Sequence, residues 1–495
     1  METRNKSGGL AQDDTLKVDV VVVGAGVSGL VAGLAAVEGG ASVILFEKRD
    51  IPGGTLNTPG ASAGFFAVES RMQRKRYNPL TRDEAFRIIM NYSHWRANAQ
   101  LVRAFVDKSP STIEWLEQRG VEYTDHSPMG MFTGSHYTQH FVKGGGAALL
   151  KILLNQAKEK GVEIRLETPV KKLFKDGDRI RGVIVEDKSG KPTQVSAKAV
   201  VIATGGYANN KEMIKKYTGF DLGRDLFVAR DVGLTGDGLR MAWEVGAAEE
   251  GLGVLILNFT IPGPGIAGTE LDIIKRQPYL LINQQGKRFC DEDVVTNWPY
   301  GGNAIAKQKD KIVFLIFDGK TKKYMEEEGL DHGTATTFLP STKLVNFDAR
   351  VKNAMDAGNQ NVFMTGSLKE LAEKIGVHSD DLQETVSQYN RFCEKGHDDL
   401  FAKNPKFLHP IKQPPFYAFR MVSFFLATTG GIKINEKTEV LNKEGEVIPG
   451  LYATGNDSVG LYGDTYDLWL PATAFGFAIN SGRMAVENAL QYIAR

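Results

Sequence analysis

The valine-rich run Val18–Val23, followed at once by Gly24-Ala25-Gly26-Val27-Ser28-Gly29, constrains the fold more than any other feature. Branched side chains on both faces predict a strand buried inside a parallel sheet. The small residues from Gly24 to about Glu38 predict a helix, and Ser42–Phe46 a second strand ending in Glu47. This βαβ unit occupies about thirty residues. Gly24 permits the tight turn, Gly26 lets a pyrophosphate approach the backbone, and Gly29 lets helix and strand pack closely. The helix N-terminus then offers N–H groups and a positive dipole end to the phosphates. Glu47 stands 18 residues after Gly29, where a carboxylate accepts from ribose hydroxyls. The unit predicts a dinucleotide site.

Composition narrows the setting. Of 495 residues, 42% are hydrophobic and 24% charged, which excludes a disordered chain or a small disulfide scaffold. Sixty Lys+Arg against 59 Asp+Glu leave a net charge of +1, so no global charge recruits nucleic acid or a membrane surface. Cys290 and Cys393 lie too far apart for a CxxC pair, and two cysteines cannot hold an iron–sulfur cluster. No metal site is expected. The polar start lacks the apolar core of a signal peptide. The longest uncharged run, Gly251–Thr269, contains two prolines and several glycines and makes a poor membrane span. The expected compartment is the cytoplasm. Residues 1–17 read as a flexible tail, 18–249 and 426–495 as an α/β nucleotide domain, and 250–425 as an inserted α+β cap. A second GxGxxG, Gly263 to Gly268, holds a proline and has neither a clear helix nor an acidic residue behind it, so no second nucleotide site is expected there.

Further strand-end turns follow, at Pro52-Gly53-Gly54-Thr55, Ala203-Thr204-Gly205-Gly206 and Ala453-Thr454-Gly455-Asn456. With GAGVSGL, FEK, LTGDGLRMAWEVGA, QGKRF, TTGGIKIN and IPGLYATGN, in that setting, the chain resembles the FAD-dependent fumarate reductase and succinate dehydrogenase flavoproteins over about 17–490. The resemblance implies a glutathione-reductase-type Rossmann-like FAD domain with a cap. It assigns to the cofactor Gly24, Gly26, Val27, Ser28, Gly29, Glu47, Lys48, Gly53, Gly54, Thr55 and Gly64. Val170, Ala203, Thr204, Gly205, Asp237, Gly455, Asn456, Ala472, Thr473 and Ala474 complete the set. No histidine lies between Gly53 and Gly64, so the FAD is expected to be non-covalent. The last helix, starting near Pro471, aims its N-terminus at the flavin pyrimidine edge, which is anionic when reduced.

The family's dicarboxylate clamps are replaced here. Asn258-Phe259-Thr260 stands where the relatives have His-Pro-Thr, Ala427 precedes the late Gly430-Gly431, and Gly463–Leu468 contains no arginine. Tyr462, Tyr466, Trp469 and Phe475 gather instead, which argues against fumarate and for a larger, less charged substrate. The implied chemistry is hydride exchange between flavin N5 and one carbon of a C–C bond, with proton exchange at its neighbour. An adjacent carbonyl must polarise that bond. Asp464-Thr465-Tyr466-Asp467 resembles the tyrosine motif of 3-ketosteroid dehydrogenases, so Tyr466 is the expected carbonyl-polarising donor. Arg276 is the expected proton donor or clamp, with Tyr279 and Tyr300 as second-choice acids. Of His136 and His140, a loop setting disfavours a metal pair, and the family's Ser-His element before its own Gly-Gly turn implies that His140 is a flavin-pocket residue, while His332 belongs to no constellation. The expected enzyme reduces or forms a C=C bond conjugated to a carbonyl, in a ketosteroid or an aromatic enone. A carboxylated-alkene reductase and an electron-transfer subunit are the alternatives. The chain has no haem or iron–sulfur motif, so its partners are a small-molecule substrate and an external electron donor or acceptor.

Overall fold

The valine-rich run forms the strand Leu16–Val23. The computed structural model describes residues 16–58, 61, 63–77, 80–124, 135–333 and 339–495. Leu16 and Lys17, assigned to the tail from the sequence, instead open this strand, because each finds a partner in Val195 and Ser196. Residues 1–15 of that tail lie outside the described residues.

The strand sits inside an eight-stranded sheet. Parallel neighbours Val43–Phe46 and Pro192–Ile202 flank it, and Val447–Ala453 and Glu163–Arg165 extend the parallel set. Arg179–Glu186 and Val170–Asp176 form an antiparallel arm on Pro192–Ile202. Val20 and Val22 pack into a core shared with the helices Val27–Glu38, Gly145–Glu159 and Thr473–Ile493. Val21 and Val23 face the opposite core, with Arg82–Tyr92 and Ala99–Glu117. Successive side chains point to opposite faces, so the buried half of the strand, Val20 to Val23, must be apolar on both, while Lys17 and Asp19 fall in its less covered first half.

A second sheet has six strands. The long strand Phe416–Thr428 organises it, pairing antiparallel with Leu255–Thr260, Ile312–Asp318 and Val362–Thr365. Leu280–Asn283 continues it beyond Ile312–Asp318. Phe227–Val228 adds a short parallel pairing. One face buries Phe259, Leu281, Leu315, Phe317 and Phe419 with Tyr466 and Leu468, while the other buries Leu280, Ile282, Phe314 and Ile316.

Register decides where the turns gather. Val23 pairs with both Phe46 and Ile202, and Ile202 pairs with Ala453. Four parallel strands therefore end level, and the turns that follow them converge at one edge. The carboxyl edge of such a sheet is where open α/β folds bind ligands. Gly24 turns there with φ +106°, and a Cβ on it would meet the Ala203 carbonyl oxygen at 2.5 Å. Only glycine suits that conformation and approach.

Candidate functional site

A cavity of about 810 Å³ opens where the level strand ends meet the second sheet. That is near the upper end for ligand pockets. Its walls include every cofactor residue expected from the sequence except Gly29 and Thr473. Gly29 does the packing work instead, since a Cβ there would lie 1.9 Å from the Gly24 carbonyl oxygen. Thr473 accepts a hydrogen bond from the Tyr462 hydroxyl at 3.0 Å.

The cavity's polar walls are held in place before any ligand enters. Glu47 accepts from the backbone N–H groups of Ala25 and Arg49, each at 3.0 Å. Its carboxylate is thereby aimed beside the glycine turn, with lone pairs left for hydroxyl donors. Lys48 donates to Asp237 and to Thr235, both at 2.6 Å, and so ties the end of the Val43–Phe46 strand to the start of the helix Asp237–Glu244. Ser28 donates to Thr454 at 2.7 Å.

Asp457 was not foreseen from the sequence and is the firmest of these ties. It accepts from the Thr204 hydroxyl at 2.8 Å, the Gly205 N–H at 2.8 Å and the Gly206 N–H at 2.9 Å. One buried carboxyl thus joins the turn after Ile202 to the turn after Ala453. Burial pushes its pKa up, and the hydrogen bonds from Gly205, Thr204 and Gly206 pull it back. Nothing local in Gly455-Asn456-Asp457 marks this role, because its partners lie about 250 positions away.

At Gly26 an added Cβ meets no protein atom within 4 Å. A side chain there would project into the space that lines the turn, which is the room a pyrophosphate needs. The donor set, the glycine cradle and the shape fit FAD.

The closing helix runs Thr473–Ile493. Pro471, expected in its first turn, lies outside it. Ala472 is the N-cap instead, in the left-handed region at φ +74°. A non-glycine residue held there costs on the order of 1–3 kcal/mol. Hydrogen bonds from Phe66 and Gly476 to its carbonyl help hold it. The helix start faces the cavity through Ala472 and Ala474.

Tyr466 and Arg276 both line the cavity, as do Asn258 and Ala427, which the resemblance puts at the family's clamp positions. Tyr466 is 5% exposed and stacks on Trp298, with ring centroids 5.5 Å apart at 20°. Burial raises its pKa, while the Thr473 hydroxyl and the backbone N–H groups of Ala474 and Ala472 oppose that rise. Arg276 donates to Asn258 Oδ1 at 2.8 Å and lies over the Phe259 ring, 4.6 Å from its centroid. Burial lowers its pKa to about 10, with Asp272 opposing. Arg276 has no ion-pair partner among the described residues.

Three expectations are corrected. Tyr279 does not line the cavity; it is 1% exposed, packed with Phe317 and His409, its hydroxyl 3.4 Å from Asp331. Tyr300 does not line it either; it is 38% exposed and stacks on Tyr92. His140 turns away from the cavity, with Nε2 2.6 Å from Ser70 Oγ and Nδ1 3.1 Å from the Thr138 carbonyl. Its strand Gln139–Phe141 puts Gln139 and Phe141 on the cavity side and His140 on the other, as a period of two requires. Burial lowers the His140 pKa to about 4. Conversely, His332, passed over in the sequence, lines the cavity with Nε2 2.8 Å from Asp293 Oδ1. Those two residues are 39 positions apart, so no spacing rule could have joined them.

The family profile described as FAD binding domain matches residues 19–468. The chain belongs to this family. It is a flavoprotein oxidoreductase that uses FAD. It is 36% identical over 493 residues to a vinyl phenol reductase of Lactiplantibacillus plantarum, covering 98% of each chain. It is 28% identical to a cytochrome-type fumarate reductase of Shewanella frigidimarina, covering 96% of this chain and 77% of that one. The fold matches a 3-ketosteroid Δ1-dehydrogenase of Sterolibacterium denitrificans with a TM-score of 0.75 at 20% identity, over 96% of this chain and all of that one. Among the described residues, no helix is long and apolar enough to cross a membrane.

Proposed function

We propose that this protein reduces the C=C bond of a small aromatic alkene conjugated to an oxygen-bearing group, an alkenyl phenol or an aromatic enone, with electrons from a donor outside the chain. One observation carries the reading. The positions that the resemblance assigns to replaced carboxylate clamps, Asn258, Ala427, Tyr466 and Leu468, line one cavity together with Trp298. Binding a dicarboxylate requires fixed cations to offset desolvation of two charges. Aromatic and amide walls offer stacking and single hydrogen bonds instead. The full-length likeness to a vinyl phenol reductase supports the same substrate class.

FAD bound along the glycine turns supplies a hydride-transferring redox centre. Gly26, Glu47, Gly205 and the N-terminus of the helix Thr473–Ile493 would hold it. The protein's own part is proton and charge control. Tyr466 Oη, which the sequence pointed to as the carbonyl-polarising donor, is instead given the proton-donor role, because the N–H groups of Ala472 and Ala474 stabilise the phenolate left behind. Stacking on Trp298 fixes its ring. Arg276, held by Asn258, would balance the negative charge that develops on the carbonyl oxygen of an enone, or pair with the phenolate oxygen of an alkenyl phenol.

The test is anaerobic. The holoenzyme is reduced with dithionite, and 4-vinylphenol, an aromatic enone, a ketosteroid enone, a cinnamate-type acid and fumarate are added singly while flavin absorbance is followed. Fast reoxidation by 4-vinylphenol or the aromatic enone, lost in Tyr466→Phe, is expected. Reoxidation by fumarate alone would defeat the reading. Reoxidation by an artificial one-electron acceptor and by no alkene would make the protein an electron-transfer subunit.

A further inference from the structure

The cavity wall carries an imidazole–carboxylate pair that the reaction described above leaves idle. His332 lines the cavity, and its Nε2 lies 2.8 Å from Asp293 Oδ1. A carboxylate only accepts, so Nε2 carries the hydrogen and Nδ1 of the neutral ring keeps a lone pair. The other hydrogen bonds of His332 run through its backbone, to Gln277, and none is formed at Nδ1 among the described residues.

Both partners are held from behind. The buried Gln277 side chain donates to the His332 carbonyl at 2.9 Å and accepts from its N–H at 3.3 Å. The His332 ring packs on Phe407, with centroids 4.9 Å apart. Asp293 sits in the short turn Glu292–Thr296, where its N–H donates to Asp291 at 3.0 Å and its carbonyl accepts from the Thr296 hydroxyl at 2.8 Å. Glu292, fully buried, anchors that turn by pairing with Arg288 at 2.7 Å and Lys403 at 3.2 Å. Asp331, the other carboxylate near His332, is engaged by the Tyr324 hydroxyl at 2.9 Å and by His409 at 3.6 Å.

The same segment reaches the rest of the site. Arg276 Nη1 donates to the Val295 carbonyl at 3.4 Å. Trp298, on which Tyr466 stacks, follows Asp293 by five residues. At about 2 Å per residue in a 3₁₀ turn, the two anchors stand roughly 10 Å apart. One segment thus holds His332 at one end and Tyr466 at the other, with Arg276 bonded between them, and all three line one cavity. A base facing an acid across such a space suits a para-substituted phenol, with its hydroxyl at one pole and its alkene at the other.

We propose that His332, oriented by Asp293, binds the phenolic hydroxyl of an alkenyl phenol and takes its proton, which makes alkenyl phenols the preferred substrates. The inference rests on the alkene reduction and the Tyr466 role proposed above. A vinyl group on a neutral phenol has no carbonyl to polarise it. When the hydroxyl proton moves to His332 Nδ1, the O–H bond breaks and its electron pair is pushed through the ring to the terminal carbon. That carbon takes the Tyr466 proton, a C–H bond forms, and the substrate becomes a neutral quinone methide. Its benzylic carbon is now electron-poor and accepts the hydride, which brings both electrons of the reduction from the FAD-dependent centre. The ring returns to a phenolate, His332 gives its proton back to the oxygen, and Tyr466 regains one from solvent. The alkene has gained one hydride and one proton, and the dyad is unchanged. Arg276 offsets the charge on the oxygen while it lasts. His332 is a catalytic residue in this scheme and Asp293 a positioning residue that fixes its tautomer.

The experiment compares the wild type with His332→Gln and Asp293→Asn, all FAD-loaded. The glutamine amide can stand where Nε2 stands and keep the bond to Asp293, while nothing replaces Nδ1. An asparagine at position 293 can donate to Nε2 and so reverse the tautomer. Dithionite-reduced enzyme is mixed anaerobically with 4-vinylphenol, with its methyl ether 4-methoxystyrene, or with benzylideneacetone, an aromatic enone without a hydroxyl. The wild type should be reoxidised about 100-fold faster, or more, by 4-vinylphenol than by its ether. The ratio of the 4-vinylphenol rate to the benzylideneacetone rate should fall about 100-fold in His332→Gln and about tenfold or more in Asp293→Asn. Equal wild-type rates with the phenol and its ether, or an unchanged ratio in His332→Gln, would overturn the inference and leave the alkene reduction standing. Reoxidation by benzylideneacetone and not by 4-vinylphenol would do the same. If no alkene reoxidises the wild type, the proposed function fails, and binding to the oxidised holoenzyme decides on the hydroxyl site by itself, read from the flavin spectrum during titration with 4-ethylphenol or 4-ethylanisole. Binding of the phenol about tenfold tighter than the ether, with the preference lost in His332→Gln, would support the site. Equal affinities in the wild type, or a preference that survives in His332→Gln, would overturn it.

Discussion

Asp457→Asn isolates the tie that brings the two glycine turns together. In the native chain Oδ1 serves the Thr204 hydroxyl and the Gly206 N–H, and Oδ2 serves the Gly205 N–H. Asparagine keeps one oxygen and replaces the other with an amide that donates. If the oxygen stays with Thr204 and Gly206, two N–H groups confront each other at Gly205. The substitution then loses one hydrogen bond to an acidic group and leaves a donor unpaired. That costs about 2–4 kcal/mol, counting the lost bond and the orphaned donor as one event. Asp457→Ala removes all three bonds and should cost more. At the usual unfolding entropy per residue, a chain of this size loses roughly 1 °C of Tm per kcal/mol, so Asp457→Asn should lower Tm by roughly 2–4 °C. Gly205 also lines the cavity. The FAD-loaded protein should therefore lose more than the apoprotein, because ligand stabilisation shrinks as the site loosens. The assay is thermal unfolding of apo and FAD-loaded forms, with FAD retention after gel filtration. An Asp457→Asn protein with wild-type melting in both forms and full FAD retention would refute the idea that this carboxyl assembles the cofactor cradle.

Gly29→Ala should abolish soluble FAD-loaded protein, since its Cβ would lie 1.9 Å from a backbone oxygen that cannot move without shifting the Gly24 turn; overpacking of this kind costs about 1–3 kcal/mol or more, and normal expression with bound flavin would contradict it. Tyr279→Phe should leave turnover within about twofold of wild type while lowering stability by about 1 kcal/mol, the worth of one hydrogen bond, whereas Tyr466→Phe should cut turnover about 100-fold, within the range for a lost general acid; steady-state kinetics separates the two. Arg276→Met should lower kcat/KM about tenfold or more by removing the charge that balances the developing oxyanion; unchanged kcat/KM would remove Arg276 from the site. His140 has a folded pKa of about 4 against about 6.5 unfolded. Its contribution to stability is present above about pH 6.5 and is lost as pH falls towards about 4, because the unfolded chain binds the proton more readily. His140→Gln should flatten that part of the pH–stability curve, read by chemical denaturation at a series of pH values.

The cofactor domain was legible in the sequence because its determinants are neighbours in the chain. A strand covered on both faces, a glycine turn and a helix start lie within a few residues of one another, so Gly24, Gly26 and Gly29 report directly on a backbone shape. Asn258 and Ala427 were singled out only through the resemblance, and the structure puts both on the cavity wall. The candidate catalytic residues were placed correctly beside the cavity only in part. Tyr466 and Arg276 do reach the cavity, but Tyr279 and Tyr300, a few positions from cavity-lining Arg276 and Trp298, do not. On strands, one position decides which face a side chain takes, and His140 falls between two cavity residues for that reason. Such choices depend on what covers each face, which only the folded chain determines. Asp457 and the His332–Asp293 pair join residues from distant segments. Sequence alone determined which cofactor this protein holds; packing of the second sheet against the closing segment decided which side chains stand beside it.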